Sequence, residues 1–369
     1  MLSKLCFPKA KSQYDQAGFL ANQLVGRGLV KQVKLDGYGS ILVLTRYGEN
    51  LLEQNNIRVI NKGREIGRTV KCPDEKDRYR LPITFGHTQL AATALCCLSE
   101  QGWTVFSERQ LRQTLALGDK VDRDDKTRKI PDGMAISPEG QTLFVEVEHS
   151  RKTSDDLNHL VDSLLSPNDF FDVSYHLSQL MPFWSEHQYI EEAVGTLIIF
   201  DPNSVSSDGR QLNHRRTIWN KVQSKLVNTF SASKICFASA TVCAKNAVDI
   251  TLEPAQLLVG ENMRAFHSHY IPNFETLSAE STHFIDIHDD RVAELSIKLT
   301  TFKSGRSCYQ FNIAGMVPSK FDHHRKARFR GNFLTPEEAF WFGLCTIYHG
   351  ETYDIKAPSM TVEDYLYQH

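Results

Sequence analysis

The segment KIPDGMAISPEGQTLFVEVEHSRKT (residues 129–153) carries Asp132 at the mouth of one apolar run and Glu146 and Glu148 inside the next. A core strand excludes unpaired carboxylates, because burying one costs on the order of several kcal/mol. The three acids therefore either face solvent on an edge strand, with Pro131-Asp132-Gly133 as a plain turn, or converge on a cation. PEG (138–140) reads as the turn between the strands IPDGMAIS and QTLFVEVEHS. Side chains alternate across a strand, so Glu146, Glu148 and Ser150 share one face, and Val145 and Val147 the other. Lys152 joins the acidic face if the backbone stays extended.

Around this pair the periodicity alternates between helix and strand. HTQLAATALCCLSEQG (87–102) is an apolar helix that should be buried, with Cys96 and Cys97 in its core face. WTVFSE (103–108) is a short strand, and Ser107 can cap the segment that follows. SDDLNHLVDSLLS is a helix with Ser154 as its cap. AVGTLIIFD (193–201) is apolar throughout, as in a strand covered on both faces. HRRTIWNKVQSKLVNTF is a further amphipathic helix, and KICFASATV a last core strand.

Bulk properties narrow the class. In 369 residues there is room for two or three domains. The eight cysteines form no CxxC pair, which argues against a disulfide framework and a zinc site and fits a cytoplasmic protein. No apolar run reaches the roughly 20 residues of a membrane span, and MLSKLCFPKAK has no apolar stretch of signal-peptide length. Net charge is −2, yet residues 1–70 hold 11 Lys or Arg against 5 Asp or Glu. A basic segment on a near-neutral chain suits a phosphate-facing surface or a solvated terminus.

Within that basic segment, residues 14–27 have helical spacing, LVKQVKL alternates as a strand, DGYGS is a hairpin turn, ILVLT is the return strand, and Thr45 can cap RYGENLLEQ. This order resembles the latter part of a winged helix-turn-helix. The resemblance implies that the first helix enters a DNA groove, with Arg27 and the neighbouring Gln16, Asn22 and Gln23 on that side. Lys31, Lys34 and Arg46 would contact the backbone. Too few residues precede the helix for the usual two further helices, and winged helices also serve as protein-binding or dimerisation modules.

The order of helix, three strands, helix, strand, helix, strand, with Asp132 opening the second strand and Glu146 in the third, is similar to the core of the PD-(D/E)XK nuclease superfamily. That resemblance implies a divalent cation, Mg²⁺ or Mn²⁺, held by Asp132 and Glu146. A third polar group would orient the attacking water. The pattern expects Lys two residues after the acid; here Glu148 stands there, and Lys152 is the alternative. Glu108 ends the first strand, where some members add an acid; it is otherwise a helix N-terminal Glu favoured by the dipole. TFGH, SERQLR, PDG and VEVEHSRK together resemble the bacterial plasmid replication-relaxation (mobilization-associated) family over roughly residues 14–165, which implies the handling of mobile-element or foreign DNA.

The last third is less telling. His267, His269, His283, Asp286 and His288 have spacings that can suit a metal but read more simply as loop residues. KFDHHRKARFRGNF (320–333) interleaves bases and aromatics, so Arg325 and Arg328, with Arg109 and Arg112, are further candidates for DNA contact. Thr335-Pro336-Glu337-Glu338 starts a helix with a capping box. Its continuation AFWFGLCTIYHG must pack against another domain or another chain.

The expected fold class is α/β, with a winged-helix-like segment (1–70), a PD-(D/E)XK-like α/β domain (80–245) and a C-terminal α+β domain of unassigned task (246–369). The expected function is a metal-dependent deoxyribonuclease of a mobile-element or defence context, with DNA as partner. Its rivals are a DNA-binding replication or mobilization protein with a degenerate nuclease fold, and a subunit of a DNA-processing assembly or homodimer.

Overall fold

The computed structural model describes residues 13–35, 39–55, 78–79, 85–108, 110–111, 131–149, 152–165, 194–206, 208–227, 229, 231–241, 250–266, 271–287, 291–302, 305–314 and 330–349. Helices pack on mixed sheets, so the fold is of the α/β class. Among the described residues no helix is long and apolar enough to cross a membrane.

The chain begins with helix α1 (Gln13–Gly26), strands β1 (Val30–Leu35) and β2 (Gly39–Leu44), and helix α2 (Arg46–Gln54). The strands form the expected antiparallel hairpin, Val30 pairing with Leu44 and Leu35 with Gly39. A two-residue strand β3 (Arg78–Tyr79) adds to β1 in parallel. Thr45 caps α2 as its residue type suggests: its Oγ1 accepts the Gly48 N–H at 3.1 Å and donates to the Gly28 carbonyl at 2.5 Å.

The central sheet is built on α3 (Phe85–Glu100), β4 (Thr104–Ser107), β5 (Gly133–Ile136), β6 (Thr142–Glu148), α4 (Ser154–Leu165), β7 (Gly195–Phe200), α5 (His214–Leu226) and β8 (Ala232–Ala240). Strands β4, β5 and β6 run antiparallel; β6, β7 and β8 run parallel. Beyond residue 245 the sheet continues. Strands β9 (Ile250–Leu252) and β10 (Gln256–Val259) both pair antiparallel with β8, so the expected domain boundary falls inside the sheet.

Both faces are covered. Leu143, Val145 and Val147 of β6 join Leu197 and Ile199 of β7 in a cluster with Leu90, Ala94 and Leu98 of α3. On the other face, Ile198 and Phe200 pack with Leu160, Val161 and Leu164 of α4 and Ile218 and Val222 of α5. The cap of α4 is Thr153 rather than Ser154. Its Oγ1 accepts the Asp156 N–H at 3.2 Å, and the Asp156 carboxylate returns to the Thr153 hydroxyl at 2.7 Å. This reciprocal pairing outcompetes Ser154, which sits one position too far into the helix.

After a short helix α6 (Glu261–Phe266), an antiparallel sheet follows in the order β11 (Glu280–Ile287), β12 (Arg291–Thr301), β13 (Ser307–Ala314), β14 (Arg330–Phe333), closed by helix α7 (Pro336–His349). Helix α7 is the apolar segment that needed a partner, and it finds one within the chain. Ala339, Phe340, Trp341 and Leu344 are all buried, in the same cluster as α3 and as Leu295 and Phe311 of the second sheet. The apolar core thus runs without a break from the central sheet into the C-terminal one.

A buried polar network fixes this junction. Lys234 Nζ of β8 donates to Glu338 Oε1 at 2.7 Å and to Gln141 Oε1 at 2.9 Å, and Gln141 Nε2 donates to Glu338 Oε2 at 3.1 Å. Thr335 caps α7 by accepting the Glu338 N–H, but the Glu338 carboxylate reaches back to the Leu334 N–H rather than to Thr335 itself. Removing one member of a buried ion pair costs about 3–5 kcal/mol, whereas apolar replacement of both is often neutral. Lys234→Met is therefore expected to lower the urea midpoint markedly, and Lys234→Met with Glu338→Leu to recover most of the loss.

Candidate functional site

Alternation along β6 decides where the acids go. With Val145 and Val147 in the cluster under α3, Glu146 and Glu148 turn to the face of α4 and α5, opposite Ile198 and Phe200 in register. Both are buried, Glu146 at 5% and Glu148 at 2% exposure, so they are not the solvent-facing pair of an edge strand. β6 lies inside the sheet, between β5 and β7.

Asp132 enters from the neighbouring strand. Gly133 pairs with Val145, and a Cβ at Gly133 would lie 2.8 Å from the Phe106 carbonyl oxygen and 3.1 Å from a Leu95 methyl. The PDG triplet is thus a strand entry that only glycine fits, not a plain turn. The Asp132 Oδ2 accepts the Val147 N–H at 2.8 Å, which ties the acid to the strand carrying the other two.

Lys152 also reaches the acidic face. Its Nζ lies 3.1 Å from Glu148 Oε1, an ion pair that partly offsets the desolvation of the deepest carboxylate. Asp132, Glu146, Glu148 and Lys152, expected together from sequence, are brought together here. Glu108 lies alongside: its N–H donates to the Asp132 carbonyl at 3.1 Å. It is also the first residue of a turn capped by Ser107, whose Oγ accepts from Gln110 N while Gln110 Oε1 accepts from Ser107 N.

Three histidines at the same end of the sheet were not singled out from sequence. His87 Nε2 lies 3.2 Å from Asp132 Oδ2. That hydrogen bond raises the His87 pKa against the effect of burial, and the charges of Asp132, Glu148 and Glu146 add to the rise. All three carboxylates therefore act on this ring. His149 follows Glu148 and sits beside Gly86, where a Cβ would come within 2.9 Å of its Cε1. His214, the first residue of α5, is buried with its Nε2 3.1 Å from Ser204 Oγ. Because Ser204 Oγ donates to the Asp201 carbonyl at 2.9 Å, its remaining capacity is to accept, so His214 Nε2 carries the proton. The only local signal for any of them was TFGH, in which His87 precedes the apolar face of α3 without belonging to it.

The donors at Asp132 and Glu146 are all oxygen, which suits Mg²⁺ or Mn²⁺, ions that take oxygen ligands and retain waters. Val147 N and His87 Nε2 both meet Asp132 at Oδ2, and an ion would take Oδ1. Among the described residues no three His, Cys, Asp or Glu side chains come together as a metal cage. An ion here would complete its shell with water and substrate.

The candidates for DNA contact divide. Arg27, Lys31 and Arg46 are exposed around the β1–β2 hairpin, and Lys34 lies on β1. Gln16, Asn22 and Gln23 are exposed on α1, together with Phe19 at 66% exposure. Arg109, Arg112, Arg325 and Arg328 lie outside the described residues, as do His267, His269 and His288. His283 rests edge-on against Phe340, at 5.4 Å between ring centroids, and its Nε2 bonds to Ser281.

Burial pushes the His214 pKa below 6.5; Lys152 and His149 add to the fall and Asp201 opposes it. The unfolded ring takes a proton near pH 6.5 that the folded ring declines, so stability falls as pH drops from 6.5 toward the lower folded value. Melting temperature measured from pH 8 to pH 5 is expected to fall less steeply for His214→Gln than for wild type. No protein-family model, curated protein or solved structure matches this chain, and the site is read from its own geometry.

Proposed function

We propose that this chain is a metal-dependent deoxyribonuclease with a PD-(D/E)XK-like centre, in which Asp132 and Glu146 hold Mg²⁺ or Mn²⁺. The observation that carries the reading is that Asp132, at the entry to β5, bonds to the backbone of β6, which carries the buried Glu146 and Glu148, while Lys152, just ahead of α4, pairs with Glu148. Carboxylates near a phosphate backbone weaken DNA binding by repulsion, and a cation held among them would offset that repulsion. When bound, the ion supplies a Lewis acid and lowers the pKa of its water. The protein's own groups do the rest. Asp132 and Glu146 present oxygens from neighbouring strands. Lys152 stands where a cation can meet charge developing on phosphate, and Glu148 orients Lys152. The basic hairpin with Arg27, Lys31 and Arg46 supports duplex DNA as the substrate.

A second reading is favoured by one feature. Glu148 occupies the position where the superfamily pattern has lysine, and it pairs with Lys152 at 3.1 Å. A self-compensated pair of this kind also suits a DNA-binding protein that has lost its chemistry. The burial of α7 inside the chain takes away the apolar helix that the assembly-subunit reading relied on.

Supercoiled plasmid with Mg²⁺ or Mn²⁺ should be nicked or cut by wild type and left intact in EDTA. Glu146→Ala should lower the rate by about 100-fold or more, the scale of losing a required group. Equal cutting by wild type and variant, or tight DNA binding with no cutting, would overturn the catalytic reading. For the hairpin, Arg46→Ala is expected to weaken DNA binding across sequences and to reduce the slope of log K against log salt by about 1, as removal of one phosphate contact does.

A further inference from the structure

We propose that His87 is a positioning residue of the acidic centre: from the first turn of α3 it fixes the Asp132 carboxylate in the orientation that a divalent cation at Asp132 and Glu146 needs. The assignment deepens the nuclease reading above and rests on it.

Three observations carry it. Asp132 Oδ2 receives two N–H donors from separate elements, Val147 N of β6 at 2.8 Å and His87 Nε2 of α3 at 3.2 Å. A carboxylate held by one donor turns about its terminal torsion, whereas two donors from separate elements on one oxygen fix its plane and so the place of Oδ1. Second, the start of α3 is seated on the strand that carries the glutamates. A Cβ at residue 86 would meet the His149 ring at 2.9–3.0 Å, so Gly86 lets the helix turn rest directly against the residue after Glu148. The position of His87 is thereby set against the end of β6. Third, the pair stands at the accessible margin of the site, with side-chain exposure of 36% for His87 and 16% for Asp132. A histidine recruited only to fill the core would be buried. The apolar face of α3 begins later, at Leu90, and has no need of it.

The function asked of His87 is N–H donation to Oδ2, which a glutamine amide can reproduce and an alanine cannot. Partners that orient a metal-binding side chain are commonly worth 10–100-fold in metal affinity. The test is Mn²⁺ binding to the full chain by isothermal titration, with free Mn²⁺ followed by electron paramagnetic resonance. Wild type, His87→Ala, His87→Gln and Glu146→Ala are compared, and thermal melting of each metal-free protein is recorded alongside. The expected result is binding by wild type, a loss of about 10-fold or more in His87→Ala, near-wild-type binding in His87→Gln and abolition in Glu146→Ala. Affinity in His87→Ala equal to wild type, with Glu146→Ala still defective, overturns the role of His87 and leaves the metal reading standing. So does a His87→Gln that melts like wild type yet binds as poorly as His87→Ala. No Mn²⁺ bound by wild type, or equal binding by wild type and Glu146→Ala, overturns the metal reading and the role of His87 with it.

Discussion

Strand β6 cannot hide Val145 and Val147 under α3 without turning Glu146 and Glu148 toward α4 and α5. That is a consequence of the two-residue repeat of a strand, and the rest of the site is arranged around it. Both glutamates are buried, so the surrounding elements must supply polar partners. Lys152 returns from the start of α4 to Glu148, and Asp132 is drawn against the β6 backbone through Val147. His87 comes in from α3 to Asp132. The capping pair Thr153–Asp156 matters in this light, because it fixes where α4 begins and therefore where Lys152 hangs.

The same sheet explains why the C-terminal third is not a bystander. Its buried lysine, Lys234, lies on β8, two strands from β6, and is compensated by Glu338 of α7 and Gln141 just ahead of β6. A charge in a core is tolerated only where such partners are preset. The turn between β5 and β6 is also held from the C-terminal sheet. Asn332 donates to the Gly140 carbonyl at 3.3 Å, and Arg306 to the Pro138 carbonyl at 3.4 Å. The two strands that present the acids are thus anchored at one end by the C-terminal sheet and open at the other toward the histidines.

Much of this was legible in local pattern. The hairpin at residues 30–44, the PEG turn, the apolar run of β7 and the alternation of VEVE each encode their geometry within a few residues. Asp132, Glu146 and Glu148 were legible for the same reason: one strand pair carries them, with Lys152 following four residues after Glu148. What could not be read is non-local. Lys234 and Glu338 are 104 positions apart, and neither residue type announces the other. His87 lies on a helix whose periodicity says only that it is buried, and its relation to Asp132 depends on how α3 docks. Strands β9 and β10 are only three and four residues long, so their addition to β8 escapes any periodicity argument. The Thr153 cap was misplaced by one residue because Thr-Ser-Asp-Asp offers two adjacent hydroxyls, and only the reciprocal bond with Asp156 tells them apart.

Charge balance gives the site its remaining logic. Among the described residues, Lys152 and His87 each pair directly with one of the three carboxylates Asp132, Glu146 and Glu148. Lys152 is engaged with the deepest acid, and His87 with the outermost. Glu146 sits between those two couples, at 5% exposure. A carboxylate so deeply withdrawn from water is stabilised by positive charge close to it. A cation shared between Glu146 and Oδ1 of Asp132 would relieve the like-charge repulsion among all three acids at once. Substituting lysine for Glu148 would remove one acid and weaken the attraction for a cation.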